Sequence, residues 1–392
     1  MDIALNEDQA MVRETALSFV KGALTKSKIR DLETTEHGFD AGVWREMAQM
    51  GWAAAAFPVQ YGGAETGWLE LALIVEALGQ GAISSPLFST VVEAGFLLLD
   101  VGSDHQKDEW LPRIASGEAL MTVALMEANG GLRPQDIKAR IVCEGNGFRI
   151  DGTKAFVRDA GVAGGIVCLT RSGDRAEELT LAIVPPDARG LSMRRMPAAG
   201  GEALWEVTFS DVVVNADAIV GDVNGAWPAA ARLLLRGAAL KSAELVGIGQ
   251  AALDLTLDYA KSRIQFGKPI GSFQGVQHHC ADMYRDLEVS RLLSWQGSCA
   301  MGEGLAGERE VAMAKAKTSE CIPALTRTAH QIHGAIAYYR DYPLELYYHR
   351  ALAAQSAYGD AAYHRRVLAR LLTTDIDNFR GQDPHELPIH YF

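Results

Sequence analysis

The chain opens in a helical rhythm. From Glu7 to Val20 the apolar residues Met11, Val12, Ala16, Leu17 and Val20 recur close to the 3.6-residue period of an α-helix. The same spacing predicts helices over Ala41–Met50, Trp68–Leu78, Val91–Leu99 and Lys107–Ala115, punctuated by Gly51, Pro58, Gly62 and Gly63. Near Leu120 the rhythm changes. Met121–Met126, Arg140–Glu144, Gly147–Ile150, Gly165–Arg171, Leu179–Val184 and Trp205–Phe209 are short runs of β-forming residues. Turn-formers separate them, as in Glu144–Gly147 and Pro185–Gly190. After Gly225 the helical period returns in Trp227–Arg263, Val276–Met301, Glu308–His333 and Tyr358–Leu372, lengths that suit a helical bundle. The pattern predicts an α+β chain in three parts: helical over 1–118, β over 119–225 and helical again over 226–392.

Composition narrows the function classes without changing that picture. A chain of 392 residues can bury a large interior, and 48% hydrophobic with 22% charged residues is ordinary globular usage. A net charge of -12 argues against broad nucleic-acid binding, which needs a basic face to displace counterions from phosphates. The first residues lack the pattern of a secretory signal, and apolar runs such as Ala53–Val59 are shorter than a membrane span. The expected setting is cytoplasmic, with neither nucleic acid nor membrane as partner. Cys143, Cys168, Cys280, Cys299 and Cys321 are odd in number and form no CxxC, so they read as structural thiols. His330 and His333, and the adjacent His278 and His279, have no nearby third ligand; they read as histidines on helix faces, and no metal is expected.

The most informative segment is Tyr259–Met283, YAKSRIQFGKPIGSFQGVQHHCADM. A helix should end near Arg263, Gly267 and Pro269 should turn the chain, and a new helix should begin near Ser272. Such a turn exposes a guanidinium and backbone N–H groups, both suited to an anionic phosphate. The segment resembles the FAD-clamping motif of the acyl-CoA dehydrogenase family. Phe57–Gly63 (FPVQYGG), Val207–Trp227 and Gln331–Ala351 resemble further segments of that family in the expected order. The resemblance covers nearly the whole chain. It implies an acyl-CoA dehydrogenase-like fold, with an N-terminal helical domain, a middle β domain and a C-terminal four-helix bundle, assembled as a dimer or tetramer. It implies FAD as cofactor, with Arg263 on the pyrophosphate and Phe266 and Gln274 on the cofactor across a subunit boundary. Gln331 and Gly334 would belong to a loop that approaches the diphosphate, although Ala335 and Ala337 stand where glycine is usual. Phe156 takes the usual tryptophan position beside the flavin, and the backbone of Val157 could reach its polar edge.

The same resemblance exposes departures. Glu127 is retained, but Met126 replaces a flavin-facing hydroxyl, Ala128 a proline, and Arg158 a second hydroxyl. Family chemistry removes the α proton of an acyl-CoA thioester while hydride leaves the β carbon for the flavin, so a carboxylate must reach that proton. The two family positions for this base are held by Tyr358 and Gly237. Asp360 is a weak substitute, and Glu244 lies nearly two helical turns from Gly237. Three readings follow. The chain is a subunit of a heteromeric enzyme whose homologous partner supplies the base, resembling members that act on bulky, including steroid-derived, acyl-CoA thioesters; it is a homomeric dehydrogenase or oxidase with a displaced base; or it is a noncatalytic scaffold. An electron-transfer flavoprotein is the acceptor the family implies.

Overall fold

The computed structural model describes residues 5–302 and 307–380. The outer limits of the expected first and last parts, 1–4 and 381–392, therefore lie outside the described residues. The N-terminal part comprises α1 (Glu7–Ala23), α2 (Lys26–Glu33), α3 (Ala41–Gln49), α4 (Trp68–Gly81), α5 (Phe96–Val101) and α6 (Asp104–Ala115). Asn6 and Ser103 start α1 and α6 with capping boxes, each pairing reciprocally with a glutamine three residues on. The expected helix over Val91–Leu99 begins earlier, as a wider π-helical stretch over Leu87–Gly95 that runs into α5.

The middle part is an eight-stranded sheet of β1 (Met121–Ala124), β2 (Arg140–Glu144), β3 (Gly147–Arg158), β4 (Gly165–Arg171), β5 (Leu179–Val184), β6 (Leu191–Met196), β7 (Leu204–Asn215) and β8 (Ile219–Val220). Their order is β6-β7-β3-β2-β4-β5-β8, with β1 beside β4. Most pairs are antiparallel, but β1 and β2 each run parallel to β4. Ile150, Val157, Trp205, Val207 and Phe209 belong to a core of the sheet's own.

The C-terminal part holds α7 (Trp227–Ser262), a small hairpin of β9 (Ile264–Gln265) and β10 (Lys268–Pro269), then α8 (Gln274–Gly302), α9 (Glu308–His333), α10 (Leu344–Ser356) and α11 (Ala361–Arg380). A larger core joins this bundle to the N-terminal helices, running from Ala16 and Trp44 through Leu71 and Leu240 to Tyr347 and Tyr358. The close crossing of α4 over α7 depends on Gly247, where a Cβ would lie 1.9 Å from the Glu76 carbonyl oxygen. That crossing fixes the depth of α7, the helix that carries Gly237 at one end and leads to Arg263 at the other.

Candidate functional site

The end of β3 aims three consecutive residues in different directions. Its pairing with β7 slips between Lys154 and Val157, a bulge in which Phe156 adopts φ +59. Val157 returns to the core of the sheet, 1% exposed, and Arg158 turns inward. Phe156 is left as one wall of an internal cavity of about 20 Å³, shared with Met126, Leu132, Leu234, Arg158 and Tyr358. That volume is near the minimum for one water molecule.

Tyr358 closes this cavity. The turn between α10 and α11 gives Tyr358 φ +55 and Gly359 φ +96, so the phenol ring points inward onto α7. There it occupies the space a side chain at Gly237 would need: a Cβ on Gly237 would lie 2.3 to 2.6 Å from three ring carbons. The two positions that the family resemblance assigns to the base thus meet each other. The Tyr358 hydroxyl donates to Glu93 Oε1 at 2.5 Å, Arg158 Nη1 donates to the same carboxylate at 2.9 Å, and the Arg158 guanidinium lies 5.0 Å from the ring centre.

Behind this wall the charges alternate. Arg158 Nε lies 3.5 Å from Glu202, which pairs with Lys241 at 2.7 Å; Lys241 also pairs with Glu244 at 2.6 Å and stands 4.1 Å over the Phe88 ring. Burial drives the Tyr358 phenol well above its ordinary range, so it keeps its proton and acts as a donor. Burial also raises the Glu93 carboxyl, which Arg158 and the phenol offset only in part. Burial opposes the charge on Arg158, but Tyr358, Glu202 and Glu93 outweigh it and hold the guanidinium protonated. For Glu202, Lys241 and Arg158 overcome burial and bring the carboxyl down to about 2. The result is a salt-bridged wall drawn from all three parts of the chain, with no free base in it.

Sequence reasoning missed Glu93, Lys241 and Glu202. The first two left a signal: Glu93 is the lone charge in the apolar run Val91–Leu99, and Lys241 shares the apolar run Ala238–Gly249 with Glu244 alone among charged residues. Glu202, on an irregular Gly-rich loop, left none.

The remaining candidates lie apart from the wall. Asp360 is exposed, and its Oδ1 accepts the Tyr363 N–H at 2.7 Å. It caps α11 and does not line the cavity with Phe156, so as a displaced base it has no access to that interior. The Glu244 carboxylate is taken up by Lys241. Glu127 is a staple, its Oε1 accepting the Lys138 and Ala139 N–H groups at 2.7 and 2.8 Å and Lys154 Nζ at 3.0 Å.

Arg263 follows Gly237 by 26 positions, about 39 Å along α7 at the helical rise of ~1.5 Å per residue. The two ends of α7 therefore lie far apart in the chain. Arg263 and Gln274 are exposed, and Phe266, at φ +52 on the β9–β10 hairpin, is 92% exposed. Gln331 and Gly334 come to the same end of the bundle, because the His333 ring stacks on Tyr259 at 4.4 Å. Both Gln331 and Gly334 are exposed, and Gly334, at φ +66, has open space where a side chain would point. Phe156 and Val157 belong to the other end, with Tyr358. His330 and His333 each place Nδ1 on the carbonyl four residues back. No cluster of three metal-ligating side chains occurs among the described residues.

Comparison with known proteins shows the family. Residues 6–118, 122–212 and 224–373 match in turn the N-terminal, middle and C-terminal domains of acyl-CoA dehydrogenases. The chain therefore belongs to the acyl-CoA dehydrogenase family, whose members are FAD-dependent oxidoreductases. It is 31% identical over 379 residues to acryloyl-CoA reductase (NADH) of Anaerotignum propionicum, covering 94% of this chain and 95% of that protein. In fold it is similar to butyryl-CoA dehydrogenase from Megasphaera elsdenii, with a TM-score of 0.89, 24% identity and coverage of 95% and 100% of the two chains. It is likewise similar to a chain of the ChsE4–ChsE5 complex from Mycobacterium tuberculosis, with a TM-score of 0.85, 25% identity and coverage of 95% and 99%. No helix among the described residues is long and apolar enough to cross a membrane.

Proposed function

We propose that this chain is one subunit of a heteromeric acyl-CoA dehydrogenase, in which it lends its exposed arm to FAD while a homologous partner supplies the base. The observation that carries this reading is the Tyr358 ring packed over Gly237, with its hydroxyl tied to Glu93 at 2.5 Å. Both base positions are spent on closing the pocket. Chemistry on a thioester would need a free carboxylate and an open volume; the interior beside Phe156 is only about 20 Å³, and the carboxylate on its lining, Glu93, is engaged by Tyr358 and Arg158.

The arm favours a cofactor held between chains. Arg263 pairs with no carboxylate among the described residues, and beside it Phe266 extends a ring into solvent with only Phe273 against it. An exposed guanidinium next to an exposed aromatic suits a phosphate joined to a flat ring system. Arg263, Phe266, Gln274, Gln331 and Gly334 would hold the cofactor of the neighbouring subunit; bound there, FAD would supply the hydride acceptor. The same flavin would be reoxidised by an electron-transfer flavoprotein. Similarity to a chain of a two-component complex supports a homologous partner, and the family setting supports an acyl-CoA substrate.

The test is reconstitution. Purified alone, the chain should show little flavin absorbance and no bleaching by acyl-CoA thioesters. Co-purified with a homologue that carries the base, it should hold FAD and turn over. Full flavin loading with dehydrogenation by the lone chain would sink this reading. A partner complex that assembles without flavin would favour the scaffold.

A further inference from the structure

Closing a pocket with one ring requires that the backbone behind the ring hold still. The Tyr358 turn is an awkward one, with two successive residues at positive φ and α11 starting only at Ala361. On its far side lies a cavity of about 340 Å³, lined by Trp227, Leu234, Leu235, Tyr363 and Val367 together with Tyr358 itself. There is room on that side for the ring to swing away from Glu93.

Lys315, on α9 and fully buried, opposes such a swing. Its Nζ donates to Gly359 O at 2.8 Å, Gln355 O at 2.9 Å and Ser319 Oγ at 2.7 Å, with Ala354 O at 3.4 Å; none of these oxygens belongs to a carboxylate. Three of the four are carbonyls from the last turn of α10 and the Tyr358 turn, groups that a helix end leaves without partners. Burial, with Lys241 nearby, lowers Lys315 to about 7, and in its charged form below that pH it also meets the negative end of the α10 dipole. From α11, His364 Nε2 lies 3.0 Å from Tyr358 O. A carbonyl only accepts, so the ring proton resides on Nε2. Lys315 and His364 therefore bind consecutive carbonyls of the turn from two different helices.

We propose that Lys315, seconded by His364, is the positioning residue that keeps Tyr358 pressed into the pocket, so that closure is set from α9 behind the turn as well as by the wall in front of it. This rests on the reading that the pocket of this chain is shut. Without Lys315 the last carbonyls of α10 and the Gly359 carbonyl lose their common donor, the turn relaxes, and the ring gains access to the cavity behind it, where Trp227, Leu234 and Leu235 lie alongside Arg232, Glu308 and Arg370.

Nitration of tyrosines by tetranitromethane, followed by mass spectrometry of the peptides, tests this in the full-length chain. Tyr338 and Tyr339 are exposed and report the reagent, whereas Tyr347 is buried away from the turn, bonded to Gln80 O at 2.7 Å, and reports global opening. In Lys315→Met, Tyr358 should be nitrated at least about tenfold faster than in the wild type, the effect of losing several hydrogen bonds from one buried amine, with Tyr347 unchanged. His364→Leu should raise the Tyr358 rate in the same selective way, and it serves alone if Lys315→Met does not fold. A Tyr358 rate that stays at the wild-type value, or rises only in step with Tyr347, overturns the proposal. Dehydrogenation by the wild-type chain alone would instead remove the reading of a shut pocket and leave the nitration result standing.

Discussion

A single ring makes two absent side chains into one structural device. Gly237 is compatible with this fold because Tyr358 fills the space above it, and Tyr358 is compatible with the pocket because Glu93 accepts a hydrogen bond from its hydroxyl and another from Arg158. The pairing makes a specific demand. Gly237→Ala alone should destabilise the chain by about 1–3 kcal/mol, since the new Cβ overlaps ring carbons in a packed core. Tyr358→Ala alone should cost about 3–5 kcal/mol, as for other large aromatic truncations. Combined, the two should cost little more than Tyr358→Ala, because the overlap disappears with the ring. Urea unfolding of the four proteins decides this, and strictly additive losses would mean that the two residues do not share that space. The vacancy at each base position was legible in the sequence as Tyr358 and Gly237. That one fills the other was not, since 121 positions separate them and only the αL turn at Tyr358 brings them together.

At the level of elements, the apolar period showed the long helices and most strands, and it failed where burial is not one-sided. α10 buries Leu344, Leu346, Tyr347, Arg350, Ala351 and Ala354 against several neighbours, so no single stripe marks it, and it is absent from the helices that the period predicts. β6 was missed because Ser192 and Arg194 face solvent while its apolar residues are only half-buried. The helix expected from Tyr358 starts three residues later, since φ is positive at Tyr358 and Gly359. Two element ends also carry opposite pH dependences. Burial, with Lys315 nearby, lowers His364 at the start of α11 from 6.5 to about 4. The unfolded chain binds more protons between those values, so the His364 share of stability is whole above pH 6.5 and is lost as pH falls through about 4. Just after β3, burial raises Asp159 from 3.8 to about 7 even though its carboxyl accepts the Ser89 hydroxyl. Here the folded chain binds more protons, so the Asp159 share is whole below pH 3.8 and is lost as pH rises through about 7. Stability measured by urea unfolding across this range should lose its His364-dependent acid decline in His364→Gln, whereas Asp159→Asn should become relatively more stable towards pH 7. An unaltered acid limb in His364→Gln would mean that His364 is not held neutral by its surroundings.

For the molecule as a whole, the decisive dimension is the length of α7. One end of this helix meets the plugged pocket and the other leads into the exposed Arg263 arm, about 39 Å away at ~1.5 Å per residue, so the residues proposed to hold the cofactor face outward. The motif in Arg263–Gln274 was the clearest signal in the sequence, and its direction, away from the wall formed by this chain's own residues, depends on three-dimensional placement that no local pattern carries. An outward arm separates two quantities that ordinarily move together in a flavoprotein. Arg263 and Phe266 contribute little to the core, so Arg263→Ala and Phe266→Ala should leave the unfolding midpoint of the isolated chain at the wild-type value. In the assembled complex the same changes should weaken FAD retention, for Arg263→Ala by about tenfold or more, as expected when a charge-assisted contact to phosphate is removed. Gel filtration of the complex with flavin absorbance, set beside urea unfolding of the chain alone, separates the two effects. If the isolated chain loses stability, the arm packs on its own subunit; if the complex keeps its FAD, the arm is an interface element without a cofactor role. Only unchanged stability together with lost flavin fits a residue whose partner lies on another chain.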